Sequence, residues 1–392
     1  MKSLELLRAA LGCAAALAIA ALPARPASVP APALRPHASP AFAVATAPYV
    51  FKWPRDHASH PGYQTEWWYF TGHVTTTSGR RFGYELTFFR FGLRPGDPPP
   101  AARESKWRGH ELYPAHFAIT DEAGKTFFYD VRFAREALNM GGASATSLDV
   151  HADDWTLRGE PIAGKPSLER MELHARDDDS RGREEIDLVQ SPEKPPAVHG
   201  HDGVSRKADC ASCASHYYSY TRLRTSGTLV FAGRRFAVDG LSWMDHEFGS
   251  AELRSDQAGW DWFSLQLDDR REVMLYLLRQ KDGSVTAESS GSLIEPDGGV
   301  RYLARDAFSV AATGVWKSPH TGASYPNGWR VLVPSAKINV TLEPTVDDQE
   351  LAVTAGGVSY WEGSVAAADP ATGKALGIGY VELTGYAQAI SL

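Results

Sequence analysis

The sequence predicts an all-β protein made of two related halves, and three observations lead to this prediction. The 392 residues are rich in aromatic side chains (11%) and contain 35 Gly and 25 Pro, a composition that favours strands and turns over helices. Helical periodicity is almost absent after residue 50. A weak internal repeat divides the chain, which is long enough for two domains of ordinary size.

Short runs of alternating apolar residues indicate the strands. Residues 84–88 and 228–238 alternate with the period of two that a strand with one buried face requires, and the second run contains a turn. Residues 273–278 form a more continuous apolar run, typical of a more deeply buried strand. Many short strands separated by frequent turns predict antiparallel barrels or sandwiches.

The internal repeat consists of three matches that occur in the same order in both halves. Each half begins with an acidic–aromatic strand, continues through a hairpin into an apolar strand ending in arginine, and closes with an aromatic–x–acid strand. The matched segments are 66–69 with 261–264, 117–124 with 292–299, and 240–245 with 377–382. Their common order argues for duplication, with the junction in the polar stretch 250–259.

The repeat has a geometric consequence for the acidic residues. In a closed antiparallel barrel, the first and last strands are neighbours. Glu66 is therefore expected to approach Asp245 in the first half. Asp261 is expected to approach Glu382 in the second half in the same way.

The first residues predict export. Lys2 and Arg8 lead into an apolar, Ala-rich stretch (9–22) followed by small residues, the pattern of a cleaved signal peptide over residues 1–27. The stretch is too short for a transmembrane helix, so the mature chain is expected to lack one and to be periplasmic or secreted. The Pro/Ala-rich residues 28–50 are predicted to be a flexible leader. The two domains are then predicted at 51–254 and 255–392.

Charge and motif content narrow the functional classes. The net charge is −7 and the basic residues are scattered, so the chain shows no nucleic-acid-binding footprint. The sequence contains no G-x-S-x-G elbow, no H-E-x-x-H motif and no Gly-rich phosphate loop. Hydrolase and nucleotide-binding functions therefore receive little support.

The mature chain retains two cysteines, Cys210 and Cys213. In an oxidising compartment a C-x-x-C pair is most simply a disulfide. A zinc site with a nearby histidine, and free or redox-active thiols, are the alternatives. The disulfide is favoured, and no metal is expected.

The segment Trp243–Glu247 is the strongest chemical candidate. On a strand, Trp243, Asp245 and Glu247 share one face, and His246 lies on the other. Two carboxyls on one face can share a proton, and an aromatic lining raises their pKa further by desolvation. A protonated carboxyl can protonate an alkene, and aromatic faces can stabilise the resulting cation by about 0.5–2 kcal/mol each. The structural alternative is that these carboxylates bind loop amides or pair with arginine.

Two further aromatic segments contain candidate residues. In residues 66–69, Glu66 and Trp68 face one way and Trp67 the other, so one face can line a cavity while the other packs. Structural use is favoured for this strand. In residues 216–218, Tyr218 is a candidate for positioning water and His216 for relaying protons, although a structural histidine is again favoured.

Four segments together resemble the bacterial CrtC/AttH-like family: residues 65–72, 214–219, 243–249 and 260–263. The resemblance extends over roughly residues 50 to 390. It implies a tandem pair of lipocalin-like antiparallel β-barrels and an apolar ligand. The carotenoid 1,2-hydratases of that family add water to a terminal double bond without a metal or organic cofactor. The signal peptide and the C-x-x-C pair distinguish this chain from the photosynthetic hydratases.

These observations lead to two hypotheses. In the first, the protein is a cofactor-independent hydratase, or a related isomerase or cyclase, acting on an isoprenoid or lipid-like substrate. The predicted catalytic set has Asp245 as proton donor, Glu247 and His246 tuning it, and Tyr218 or Glu66 orienting water. In the second, the protein is a non-catalytic carrier of a hydrophobic ligand at the cell envelope, serving an exporter. The predicted ligand-binding residues are Trp67, Trp68, His216, Trp243, Trp260, Asp261 and Trp262.

Overall fold

The all-β prediction is confirmed by the structure, a computed structural model. It describes residues 41–95, 109–179, 182–210, 212–250, 253–353 and 357–390. Within these ranges the regular structure is β-strand with a few short 3-10 turns and no α-helix. The 3-10 turns are Arg55–His57, Ala137–Asn139, Arg305–Ala307 and Pro334–Ala336. The predicted signal peptide lies outside the described residues.

The first large antiparallel sheet has 13 strands in the described part of the chain. Its strands are β1 (Thr65–Thr76), β2 (Arg81–Gly92), β3 (Glu111–Asp121), β4 (Thr126–Arg135), β5 (Gly141–Ala143), β6 (Asp149–Ala152), β7 (Trp155–Ile162), β8 (Lys165–Asp179), β9 (Gly182–Pro192), β10 (Ala197–Val198), β11 (Ser205–Arg206), β12 (Ala214–Phe231) and β13 (Arg234–Gly249). The order is β4-β3-β2-β1-β13-β12-β9-β8-β7-β6-β5, and β10 and β11 also pair with β12. Because β5 and β6 pack against β3 and β4, this sheet curls into a near-barrel.

The second sheet is a half-barrel of 10 strands among the described residues. Its strands are β14 (Gln257–Leu267), β15 (Glu272–Gln280), β16 (Ser290–Ile294), β17 (Val300–Leu303), β18 (Ser309–Ala312), β21 (Trp329–Val333), β22 (Ile338–Pro344), β23 (Glu350–Leu351), β24 (Tyr360–Ala368) and β25 (Ala375–Leu383). The order is β17-β16-β15-β14-β25-β24-β22-β21-β18, with β23 on β24. A separate hairpin joins β19 (Val315–Lys317) to β20 (Ser324–Pro326).

The strand order of the second sheet repeats the central order of the first. The opening strand β1 lies between β2 and the closing strand β13, and β14 lies likewise between β15 and β25. The neighbouring positions of first and last strands are therefore as the repeat predicts. The expected approach of the carboxyl groups is wrong, however, because Asp245 pairs with Tyr69 rather than with Glu66. Glu66 is separated from Tyr69 by an odd number of positions along β1, so its side chain points to the face of the sheet opposite to that of Asp245.

The same correction applies to the second sheet. Glu382 lies opposite Trp262, whereas Asp261 lies opposite Leu383. Directly opposed residues share a face, so Glu382 lies on the face of Trp262. Asp261 is the neighbour of Trp262 along the strand and therefore lies on the other face.

Among the described residues, the alternation of side chains produces three large apolar clusters. One fills the interior of the first sheet and includes Trp68, Phe70 and Met244. A second fills the interior of the second sheet around Phe263 and Leu265. The third lies between the outer faces of the two sheets and joins side chains of both. That third cluster adjoins the candidate site.

Residues 41–50 belong to the packed structure, although the sequence assigns them to the flexible leader. The Ala43 amide donates a hydrogen bond to the Gly62 carbonyl over 2.8 Å. Ala45 is buried, and the ring of Tyr49 stacks on His216 with 3.8 Å between centroids. This segment therefore packs against the first sheet.

The neighbouring tryptophans of β1 provide a test of the strand faces. Trp68→Ala should lower the free energy of unfolding by about 3–5 kcal/mol, because it empties a wholly buried core position. Trp67→Ala, at a half-buried position on the opposite face, should cost clearly less. Urea denaturation of both variants measures the difference, and equal losses would contradict the assignment of faces.

Candidate active site

The candidate active site is an open cleft between the outer faces of the two sheets. It has a volume of about 870 Å³, including the space at its mouth. The lining is mainly aromatic and apolar, and it is interrupted by several carboxyl groups. The lining includes Trp67, Tyr69, Glu85, Lys207, Tyr217, Asp245, Glu247, Trp260, Trp262, Tyr276, Tyr360 and Glu382. A concave apolar site with a few polar groups is typical of a small-molecule site.

Strand register brings the predicted acids to this cleft. Trp67 lies opposite Glu247, and Tyr69 lies opposite Asp245, so all four side chains share the outer face of the first sheet. The matched face of the second sheet contributes Trp262. The rings of Tyr69 and Trp262, from the opening strands of the two halves, contact each other with 5.2 Å between centroids.

Asp245 is buried at the centre of the cleft wall, with only 4% of its surface exposed. Its carboxylate accepts hydrogen bonds from the Tyr217 hydroxyl (2.7 Å), from the indole N–H of Trp243 (2.6 Å) and from the Ser219 hydroxyl. Burial raises the pKa of Asp245 to about 7, because these hydrogen bonds only partly offset the desolvation. Asp245 is thus available as a carboxylic acid near neutral pH.

Glu247, the second predicted acid, differs because it has a cationic partner. Its carboxylate lies 2.6 Å from the Lys207 ammonium group and also accepts a hydrogen bond from Ser215. Lys207 was missed by the sequence reasoning. Its amide donates to the Cys213 carbonyl over 2.8 Å, and Cys213 is joined to Cys210 by a disulfide. The disulfide loop therefore holds Lys207 at the cleft.

Three more buried carboxyls were absent from the predicted set: Glu85 and Glu382, which line the cleft, and Glu362, which accepts a hydrogen bond from the cleft residue Tyr69. Burial raises the pKa of Glu382 to about 8 and that of Glu85 to about 7. It also raises the pKa of Glu362. The repeat offered a signal for Glu382, which matches Asp245. Glu85 and Glu362 had no such signal, since each is a single acid in an aromatic strand.

The other predicted catalytic residues lie on the opposite side of the first sheet. Glu66 accepts hydrogen bonds from Arg90 Nε and His246 Nε2, each over 2.8 Å. The Tyr218 hydroxyl lies 3.2 Å from His246 Nδ1 inside the near-barrel. This corrects the expectation that Glu66, His246 and Tyr218 act with Asp245, because strand alternation directs them away from the cleft.

Glu66 is the ionised centre of that interior network. His60 contributes a further contact of 2.8 Å from its Nδ1, and Arg90 is itself fully buried. The positive charges of His60 and Arg90 and the hydrogen bonds from the two histidines hold the pKa of Glu66 well below its usual range. The network ties the segment before β1 to the sheet.

His60, Glu66 and His246 are residue types that can bind a metal ion. Atoms of His60, Glu66 and His246 that could bind a cation lie within 4.8 Å of one another, a group found within the described ranges. The Arg90 guanidinium forms an ion pair with one carboxylate oxygen of Glu66, and its positive charge would repel a metal ion bound at the same carboxylate. The donor set is satisfied by hydrogen bonds, so we assign no metal to it. The disulfide likewise commits both cysteine sulfurs, which a zinc site would need.

The predicted ligand-binding residues also divide between two environments. Trp67, Trp260 and Trp262 line the cleft, and Trp243 lies behind Asp245 in the adjoining cluster. The other three lie elsewhere. Trp68 lies in the core of the first sheet, and His216 contacts the Gly203 carbonyl. Asp261 forms an ion pair with Arg279.

The Asp261–Arg279 pair repeats the Glu66–Arg90 pair. Both join a carboxylate of the opening strand to the Nε of an arginine on the following strand over 2.8 Å, directly across the hairpin for Glu66 and diagonally for Asp261. These two acids are therefore parts of the framework in each half.

The fold and the cleft define a class: a two-sheet, lipocalin-like protein with an acid-lined apolar cleft. The AttH-like family matches residues 44–386, and the chain belongs to that family. A crystal structure assigned to AttH from Nitrosomonas europaea is 31% identical, with a TM-score of 0.76, and the match covers 88% of this chain and 99% of that one.

A second solved structure is more distant in sequence. Kievitone hydratase from Nectria haematococca is 15% identical with a TM-score of 0.63, and the match covers 89% of this chain and 97% of that one. This likeness establishes a shared fold. No curated protein matches the chain significantly. Among the described residues, no helix has the length and apolar character needed to cross a membrane.

The interior network predicts a stability effect for Glu66. Glu66→Gln should lower the free energy of unfolding by about 3 kcal/mol at neutral pH, because buried Arg90 loses an anionic partner. The pKa of Glu66 is depressed, so this contribution is present above the unfolded value of 4.5 and is lost as the pH falls below it. Urea denaturation at neutral and acidic pH measures both effects.

The control is Glu193→Gln, which removes a carboxylate paired with exposed Arg224 and Arg270. It should cost less than about 1 kcal/mol, as exposed ion pairs contribute little. A Glu66→Gln loss no larger than that of the control would show that the interior network is not essential for stability.

Proposed function

We propose that this protein is a cofactor-independent hydratase that adds water to a carbon–carbon double bond of an apolar isoprenoid or lipid-like substrate. The single observation that supports this most strongly is the position of Asp245. It is a buried carboxyl with a pKa raised to about 7, set in an open cleft lined by aromatic rings. Protonation of an unactivated alkene requires a desolvated acid that still carries its proton, and Asp245 remains protonated up to about pH 7 inside the cleft.

The reaction begins when Asp245 transfers its proton to one carbon of the double bond. The π electrons form the new C–H bond, and the other carbon becomes a cation. The faces of Trp67, Trp262 and Tyr276 border the cleft and can stabilise this charge. Water attacks the cation and loses a proton to a carboxylate, which completes the addition.

The hydrogen bonds around Asp245 are compatible with both of its protonation states. Tyr217 and Ser219 contact it through hydroxyl groups, which can donate to the carboxylate or accept from the carboxylic acid. Tyr217 itself accepts a hydrogen bond from the indole N–H of Trp262 over 3.1 Å. The acid is thus held in position while it gives up and regains its proton.

The comparisons support the reaction class in a general way. Kievitone hydratase, by its name a hydratase, shares this fold. Its sequence identity is low, so the support is an analogy at the level of the fold. The carotenoid 1,2-hydratase resemblance supports an acyclic isoprenoid as the substrate. The predicted signal peptide supports action in the periplasm or outside the cell, at the envelope.

A carrier of a hydrophobic ligand, associated with an envelope exporter, is the second candidate. The large apolar cleft favours it, since lipocalin-type folds hold such ligands. A carrier would be expected to keep Asp245 and Glu247 outside the ligand space. Both side chains line the cleft, which favours the enzyme.

The test uses the mature protein incubated with lycopene and, separately, with a total lipid extract. Mass spectrometry should detect a product heavier by one water, and Asp245→Asn should reduce its rate by about 100-fold or more. The matched control is Asp239→Asn, an exposed residue of the same strand, which should keep the wild-type rate. Ligand retained without any gain of water would instead favour the carrier.

The pH dependence follows from the pKa of Asp245. The proton donor must be protonated, and its pKa is about 7, so the rate should fall by about tenfold per pH unit above that value. A pH profile of kcat/KM measures this alkaline limb. A rate that stays constant well above pH 7 would exclude Asp245 as the donor.

A further inference from the structure

Two buried carboxyl groups, one from each sheet, accept hydrogen bonds across the interface of the sheets beside the cleft. Glu85 lies on β2 and Glu362 on β24, and each has only 1% of its surface exposed. Two tyrosines cross between the sheets to reach them. The Tyr69 hydroxyl donates to Glu362 Oε1 over 2.7 Å, and the Tyr360 hydroxyl donates to Glu85 Oε1 over 2.9 Å.

The remaining oxygen of each carboxyl has no such donor. Within the described residues, the Oε2 atoms of Glu85 and Glu362 are buried and have no hydrogen-bond partner. Buried polar atoms are rarely left in this state, because an unmade hydrogen bond is costly. A proton on one of these carboxyls would provide the missing donor.

The hydroxyl of Tyr360 donates its hydrogen bond to Glu85. His116 Nδ1 lies 2.7 Å from this hydroxyl oxygen. Burial lowers the pKa of His116 to about 4, so the ring is neutral at pH 7. Since Tyr360 donates to Glu85, His116 Nδ1 must carry the ring proton and donate to Tyr360.

Among the described residues, none of the side chains that hydrogen-bond to Glu85 or Glu362 is a cation, and Lys207 of the same cleft is paired with Glu247. Tyr69 and Tyr360 hydrogen-bond to the two carboxyls, and His116 acts on Glu85 through Tyr360. The charges of Asp245 and Glu382 act on Glu362, which in turn acts on Tyr380. All are neutral or acidic. Burial raises the pKa of Glu362 most, and the charge of Glu85 raises it further. Burial also raises the pKa of Glu85, to about 7.

We propose that Glu85 and Glu362 share one proton across the interface of the two sheets, and that Glu85 is the second catalytic residue of the cleft. Glu85 lines the cleft, so it can touch substrate and water. The catalytic half of this proposal rests on the proposed hydratase function, whereas the proton-sharing half does not depend on it.

In the catalytic step, Asp245 supplies the proton that forms the C–H bond. The attacking water forms the C–O bond and releases its other proton to the Glu85 carboxylate. The product has gained one H₂O, Asp245 has lost a proton, and the carboxyl pair has gained one. Exchange with solvent through the open cleft restores both groups.

Infrared spectroscopy of the intact protein tests the shared proton without any substrate. The carbonyl stretch of protonated carboxyls is followed against pH for wild type, Glu85→Gln and Glu362→Gln. Removing the like charge should move the midpoint of the remaining carboxyl to lower pH by about one unit or more. The control Glu343→Gln, at an exposed residue of β22, should leave the midpoints of Glu85 and Glu362 unchanged. Unchanged midpoints in both variants would overturn proton sharing.

A further variant makes the test independent of the folding of the glutamine variants. Tyr360→Phe removes a hydrogen-bond donor from the Glu85 carboxylate. It should therefore move the midpoint of Glu85 in the opposite direction, to higher pH. A shift to lower pH, or none, would contradict the assignment.

Kinetics with lycopene test the catalytic half. Glu85→Gln should lower kcat by about 100-fold or more and change KM little. Glu362→Gln should keep kcat within a few-fold but move the acidic limb of the pH profile to lower pH, because Glu85 then ionises more easily. The alkaline limb, set by Asp245, should stay in place.

The two proposals can fail separately. If the infrared shifts occur but wild type adds water to no substrate, proton sharing stands and the hydratase function fails. If wild type adds water and Glu85→Gln retains full kcat, the catalytic role of Glu85 is overturned.

Discussion

The constraint on which this protein depends is the burial of acidic strand faces between two sheets. The outer faces of β1, β2 and β13 pack against those of β14, β24 and β25, and carboxyl groups from both sides are enclosed among aromatic rings. Enclosure removes water from these groups and makes the ionised form costly. Tyrosine and tryptophan donors compensate in part, so the acids remain in place with raised pKa values. The chemistry of the cleft follows from this arrangement.

Two acids on paired strands illustrate how strongly environment controls protonation. Glu66 and Asp245 lie on neighbouring strands but face opposite sides of one sheet. Glu66 meets Arg90 and two histidines, and its pKa falls. Asp245 meets only neutral donors and a nearby acid, and its pKa rises to about 7. A single sheet thus separates a structural carboxylate from a candidate proton donor.

Duplication explains why similar motifs have different uses. The acids of the opening strands, Glu66 and Asp261, pair with the arginines that end the following strands, and both support the framework. The acids of the closing strands, Asp245 in the first sheet and Glu382 in the second, both line the cleft between the sheets. Glu85 and Glu362 have no such equivalents, and each accepts a hydrogen bond from a tyrosine of the opposite sheet.

The sequence by itself determined the all-β class, the neighbouring positions of the first and last strands in each half and the face shared by Trp243, Asp245 and Glu247. These features depend on local alternation and on repeated patterns, which are visible in one dimension. The tertiary structure alone decided which face of each sheet became a barrel interior and which became the cleft. It also brought in Lys207, Glu85 and Glu362, because their partners are remote in sequence and their pKa values depend on contacts across the two sheets.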